Sequence, residues 1–172
     1  MRRLVWLTVL AIALAVPAVG YAFVGGSSDD GTLSVKNGAG RVYLNITGTV
    51  VGRVGEGYIK VIDPNPNDGQ GVQFSNGCNS TTDLGTTTTT VCHNTDGVVR
   101  FKAIGGKYLI TIYKASGIFL SAVGRGWGTL NGAGNDPNVP GTFDGTYSVN
   151  DGPYKSLPDD LHPFTLAAPA GG

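Results

Sequence analysis

The chain has 172 residues, of which 14% are charged, 28 are glycine, two are cysteine and one is methionine. Twelve Lys and Arg balance twelve Asp and Glu, a balance that speaks against steering toward nucleic acid or an anionic membrane by net charge. Val, Ile, Thr and Tyr fill the apolar runs, and no sustained 3.6-residue period with caps follows the first 22 residues, which argues against long helices.

At the start, Arg2 and Arg3 precede a continuous apolar run over residues 4–16, and Gly20-Tyr21-Ala22 offers small residues at a cleavage site. That is the secretory signal-peptide pattern over residues 1–22, with Val16-Pro17-Ala18 as an alternative cut. The run is shorter than the ~20 residues a spanning helix needs. Cleavage removes two arginines and no acidic residue, leaving ten Lys and Arg against twelve Asp and Glu. The expected location is secreted or cell-envelope, with no membrane insertion of the mature chain. Residues 23–31 read as a flexible Gly/Ser/Asp linker, residues 32–166 as one β domain, and 167–172 as a disordered tail.

Within the domain, short alternating runs are punctuated by Gly, Asn, Asp and Pro, as in sandwiches and barrels. Residues 32–36 predict a first strand closed by an Asn37-Gly38 turn. Residues 41–47 alternate, with Val42, Leu44 and Ile46 on one face. Strands at 49–54 and 57–62 follow around Gly55-Glu56-Gly57. The Asp63–Gly69 segment, with two prolines, reads as a turn. Residues 71–75 resume a strand, and the Thr86–Thr90 run predicts either a strand or an exposed lobe. Over 98–103, Val99, Phe101 and Ala103 point inward and Arg100 and Lys102 outward. Gly105-Gly106 predicts a hairpin turn into 107–113, which is apolar on both faces and so expected at the sheet centre. Residues 117–123 form a further strand, and Gly124-Arg-Gly-Trp-Gly128 a turn leading to another. After a Gly/Asn/Pro loop over 131–142, strands are expected at 145–149 and 164–166.

A weak internal repeat runs through this pattern. Residues 40–46 (GRVYLNI) match 106–112 (GKYLITI), and 54–58 (VGEGY) match 123–127 (VGRGW). The expectation is a single antiparallel β-sandwich of about eight to ten strands, with an internal duplication favouring two similar halves. A closed barrel and a solenoid are the alternatives.

Four groups of residues bear on chemistry. In an exported chain, Cys78 and Cys92 are expected to form a disulfide closing a loop worth about 3 kcal/mol. Asp63, Asn65, Asn67 and Asp68 place oxygens at near-alternate positions, as a structural calcium site requires. The position for a bidentate Glu is Phe74, and Asx-Pro turns account for the loop equally well. No other cofactor is indicated. Trp127, with Tyr58, Tyr43, Tyr113 and the neighbouring Arg125, could form an exposed aromatic platform for sugar stacking; packing on the sheet is the competing fate. Catalytic patterns are absent: neither His93 nor His162 sits in a nucleophile motif. Glu56 is the sole glutamate, where glycosidase chemistry needs two opposed carboxylates. Asn45-Ile-Thr47 and Asn79-Ser-Thr81 are glycosylation sequons, meaningful only in a eukaryotic secretory pathway.

At Ser116-Gly-Ile118, at 120–126 (LSAVGRG), at 145–148 (GTYS) and at Gly152-Pro-Tyr154 with Leu157-Pro158, the chain resembles small exported β-rich domains of bacteria that have no assigned activity. The resemblance covers about two-thirds of the mature chain. It implies an exported bacterial protein with an all-β fold and brings no functional residues. The Cys78–Cys92 lobe lies outside it. Together these readings favour an exported non-catalytic binding or structural domain, for a polysaccharide or an envelope protein and not for nucleic acid. A hydrolase acting on wall or extracellular polymers is the alternative.

Overall fold

A computed structural model describes residues 29–66, 71–75, 78, 80–83, 88–95, 97–134 and 144–167. The expected signal peptide, most of the linker, the end of the tail, and Asn67 and Asp68 lie outside the described residues.

Nine strands make one antiparallel sheet that does not close, a sandwich-like all-β fold. They are β1 (Gly31–Val54), β2 (Glu56–Asp63), β3 (Val72–Ser75), β4 (Ser80–Asp83), β5 (Thr88–Asn94), β6 (Val99–Gly132), β7 (Thr146–Val149), β8 (Lys155–Ser156) and β9 (His162–Leu166). The order is β4-β5-β2-β6-β1-β7-β8, with β3 and β9 each paired to β6.

Two long strands organise the rest. The register runs along β1 from Val54 opposite Val99 to Gly31 opposite Gly124. The end of β6 then returns along the other edge of β1, with Arg53 opposite Phe119 and Gly40 opposite Gly132. Residues 120–124 therefore lie between 31–35 on one side and 48–52 on the other. The ribbon coils back on itself, and its inward residues share one core. Val42, Leu44, Ile46, Tyr108, Ile110, Ile112 and Leu130 are buried in it. The single polar atom of Tyr108 is satisfied, since its hydroxyl donates to the Ile104 carbonyl at 3.1 Å.

Three expected turns are bends inside strands. Asn37-Gly38, Gly105-Gly106 and Gly124–Gly128 all stay within β1 or β6. At the first, Asn37 adopts φ 50° and the register shifts between Val35 and Gly38, which is a bulge and not a hairpin. Positive φ marks turns and bulges alike; here the partner strand keeps pairing through the bend, so the chain is redirected without being reversed.

One of these bends crosses the sheet. Gly106, Gly48, Gly124 and Gly31 lie opposite one another in consecutive register. A Cβ on Gly48 would sit 2.2 Å from the Val123 carbonyl oxygen, and one on Gly124 would sit 2.3 Å from that of Thr47. The two backbones touch where a side chain would stand. This row divides the sheet into two halves.

Residues 107–113 lie between β1 and β2, so the expected central strand is central. The matched segments of the internal repeat are direct neighbours, with Leu44 opposite Ile110. The second matched pair differs in role: Gly55 sits at the bend joining β1 to β2, whereas Gly124 lies inside β6. Cys78 and Cys92 are bonded, with Cα atoms 5.5 Å apart. The bond ties the segment before β4 to β5, where Cys92 is fully buried.

Candidate functional site

Alternation along β1, β2, β5 and β6 sends odd and even positions to opposite faces. On one side of the glycine row, the face away from the core carries Tyr43 on β1, Trp127 and Tyr113 on β6, Tyr58 on β2 and His93 on β5. Tyr113, Tyr58 and His93 are direct cross-strand partners. Tyr58 stacks on His93 at 4.0 Å with an interplanar angle of 2°, and on Tyr113 at 4.9 Å and 11°. Tyr43 meets Trp127 at 5.3 Å in a tilted geometry. Between these two groups, Tyr43 lies opposite Thr111, two residues from Tyr113, a diagonal step of about 7–8 Å that large rings can bridge.

The five rings thus cross five neighbouring strand segments, a width of about 19 Å at the usual spacing. Trp127 is the most open of them, 49% exposed. Thr111, Thr129 and Asn45 are interspersed on the same face, half-buried. Beyond Tyr113 the face runs into a cleft of about 570 Å³ whose lining includes Arg41, Glu56, Lys114, Ser116 and Asn131.

The structure puts the sequence-derived candidates in definite places. Trp127 and Tyr58 share a face but do not touch; Tyr43 and Tyr113 stand between them. Arg125 is two residues from Trp127, yet its guanidinium is paired with Asp29 at 3.4 Å and Asp30 at 3.3 Å. It is a tether for the start of the domain before it is a ligand group. His93 is the member that sequence reasoning missed. Its neighbour in sequence is a cystine, and only the β2–β5 register shows that its neighbour in space is Tyr58.

Asp63 ends β2 buried, and its Oδ1 accepts the Asn65 N–H at 2.9 Å, the local bond of an Asx turn. Asn67 and Asp68, the other two candidate calcium ligands, lie outside the described residues. Among the described residues no group of three His, Cys, Asp or Glu is placed to hold a metal ion, and no helix is long and apolar enough to cross a membrane. His162 lies against Tyr147 at 6.0 Å between centroids, on a different strand from His93.

No protein-family model, no curated protein and no solved structure matches the chain.

Proposed function

We propose that this is an exported, non-catalytic carbohydrate-binding domain of the cell envelope or extracellular space, and that the ring-bearing face of β1, β2, β5 and β6 is its binding surface. The observation that carries this reading is the run of Trp127, Tyr43, Tyr113, Tyr58 and His93 across adjacent strands, with Trp127 half exposed. Rings fixed on a sheet offer flat apolar area at low entropic cost, and hydroxyls and amides beside them supply hydrogen bonds to a sugar. Export is supported by the leader-like first 22 residues and by the cystine. The non-catalytic reading is supported by the adjoining cleft: among the described residues its one carboxylate is Glu56, where polymer hydrolysis by paired carboxylates needs two.

Glycan-array binding by the mature protein tests the reading. Trp127→Ala should weaken glycan binding about tenfold, because it removes one stacking ring. It should change stability by no more than about 0.5 kcal/mol, as expected of an open side chain. A variant that binds as well as the parent, or a parent that retains no glycan, would sink the proposal.

A further inference from the structure

β1 and β6 together carry Lys36, Arg41, Arg53, Arg100, Lys102, Lys107, Lys114 and Arg125, eight of the twelve Lys and Arg, and not one Asp or Glu. The balanced net charge conceals this segregation. Beyond the glycine row, on the half without the aromatic rings described above, the two strands enclose a groove of about 440 Å³. Val51 and Phe119 give it apolar walls, the backbone at the core residues Val35 and Leu120 forms part of its floor, and Lys36, Arg53 and Arg100 supply its charges; no acidic side chain lines it among the described residues. Asp151, which does not line the groove, is engaged by the Thr32 hydroxyl at 3.0 Å.

Two features make the groove more than a basic patch. Arg53 and Arg100 are direct cross-strand partners, and like charges directly opposite one another destabilise a sheet. The guanidinium of Arg53 also lies 3.9 Å over the ring of Phe119. That contact restrains the guanidinium over the ring, and a guanidinium so placed keeps N–H donors for an anion. A bidentate anion between the two arginines removes the repulsion and finds donors already oriented.

We propose that this groove binds the carboxylates of a linear acidic polysaccharide, at a site separate from the aromatic platform and independent of it. Lys102, just outside the groove lining and two residues from Arg100 along β6, extends the row of outward charges at a spacing of about 6.6–6.8 Å, which suits a repeating anion better than a single small one. Among the described residues the rings bordering the groove, Phe119 and Tyr154, already carry Arg53 and Lys36 over a face, whereas single-strand binders stack bases on open rings.

The test is calorimetric titration of the mature, disulfide-intact protein with an oligogalacturonate, alongside a neutral gluco-oligosaccharide of equal length, oligo-dT and phosphatidylglycerol vesicles. The oligogalacturonate should bind and the neutral chain should not, with affinity falling about tenfold or more between 50 and 200 mM salt for three or more charge contacts. Arg53→Gln and Arg100→Gln should each weaken it about fivefold or more, and Arg100→Gln, which removes the like-charge opposition without touching the Arg53–Phe119 stack, should not lower Tm. Arg53→Lys keeps the charge and loses the fork, so it too should weaken binding. Trp127→Ala should leave it unchanged. Oligogalacturonate binding indifferent to all three arginine variants would overturn the proposal. So would tighter binding of oligo-dT or of vesicles at the same salt, or no oligogalacturonate binding at low salt.

Discussion

On one side of the glycine row the outward positions of β1 and β6 hold Tyr43, Tyr113 and Trp127; on the other they hold Lys36, Arg53, Arg100, Lys102 and Phe119. Cations occur on both sides, but their surroundings differ. Arg125 on the aromatic side is met by two aspartates, while Arg53 faces another arginine and an aromatic ring. The flanking strands differ as well. β2 and β5 widen the aromatic half, so that its stack runs on to Tyr58 and His93. The cationic half is bordered by β3 and β7 and is concave. The same two strands thus present two chemistries, and the bend between them keeps the surfaces apart.

That comparison rests on the bend, so the largest expected effect comes from breaking it. Gly48→Ala forces a Cβ into the Val123 carbonyl at a backbone angle of +155°. Overpacking and backbone strain together should cost on the order of 4 kcal/mol, read by urea unfolding. Gly71→Ala is the control, since a Cβ there meets nothing within 4 Å. Equal stabilities for the two variants would show that the row is not a mechanical corner.

Reduction comes next, and it should act on one half alone. The Cys78–Cys92 bond anchors β5, and β5 supplies His93 to the aromatic stack. Reduction should lower stability by about 3 kcal/mol in the chain-entropy model. It should weaken glycan binding on the aromatic face while leaving the cationic groove intact. Equal losses at both faces would mean that the halves are not separable, and two titratable thiols in the untreated protein would remove the disulfide from solution altogether.

Much of this architecture was legible in the sequence. Period-two alternation identified Val42, Leu44 and Ile46 as one buried face and Val99, Phe101 and Ala103 as another, because inward positions tolerate little but apolar residues. The continuity of β1 and β6 was not legible. Asn37-Gly38 and Gly105-Gly106 carry the same positive-φ signal whether a chain reverses or merely bends, and only partners far away in sequence decide between the two. The aromatic site was half legible: four of its rings stand out as residue types, but His93 enters through register alone. The cationic groove was hidden by averaging. Its signal was present as two long stretches, 31–54 and 99–132, free of acidic residues, a pattern that net charge erases.

The smallest expected effect belongs to Tyr154, which borders the cationic half. Its hydroxyl lies 2.8 Å from the Ser34 hydroxyl, and the Lys36 ammonium sits 3.8 Å over its ring. The Ser34 hydrogen bond, helped by Lys36, holds the phenol below its ordinary range, against a weaker upward push from burial. A depressed acidic group stabilises the fold only where it is ionised in the folded state. Its contribution is therefore absent at neutral pH, grows as pH rises through the folded value, and is complete above the unfolded value of about 10. The side chain is 45% exposed, so solvent screens the effect and the titration itself is the better readout. Phenolate absorbance should show an early ionisation step that Tyr154→Phe abolishes. Ser34→Ala should move that step upward more than Lys36→Met does, because the hydrogen bond outweighs the charge. The reverse ranking would place the electrostatics of the lysine first, and with it a stronger field over this half of the sheet than the hydrogen bond implies.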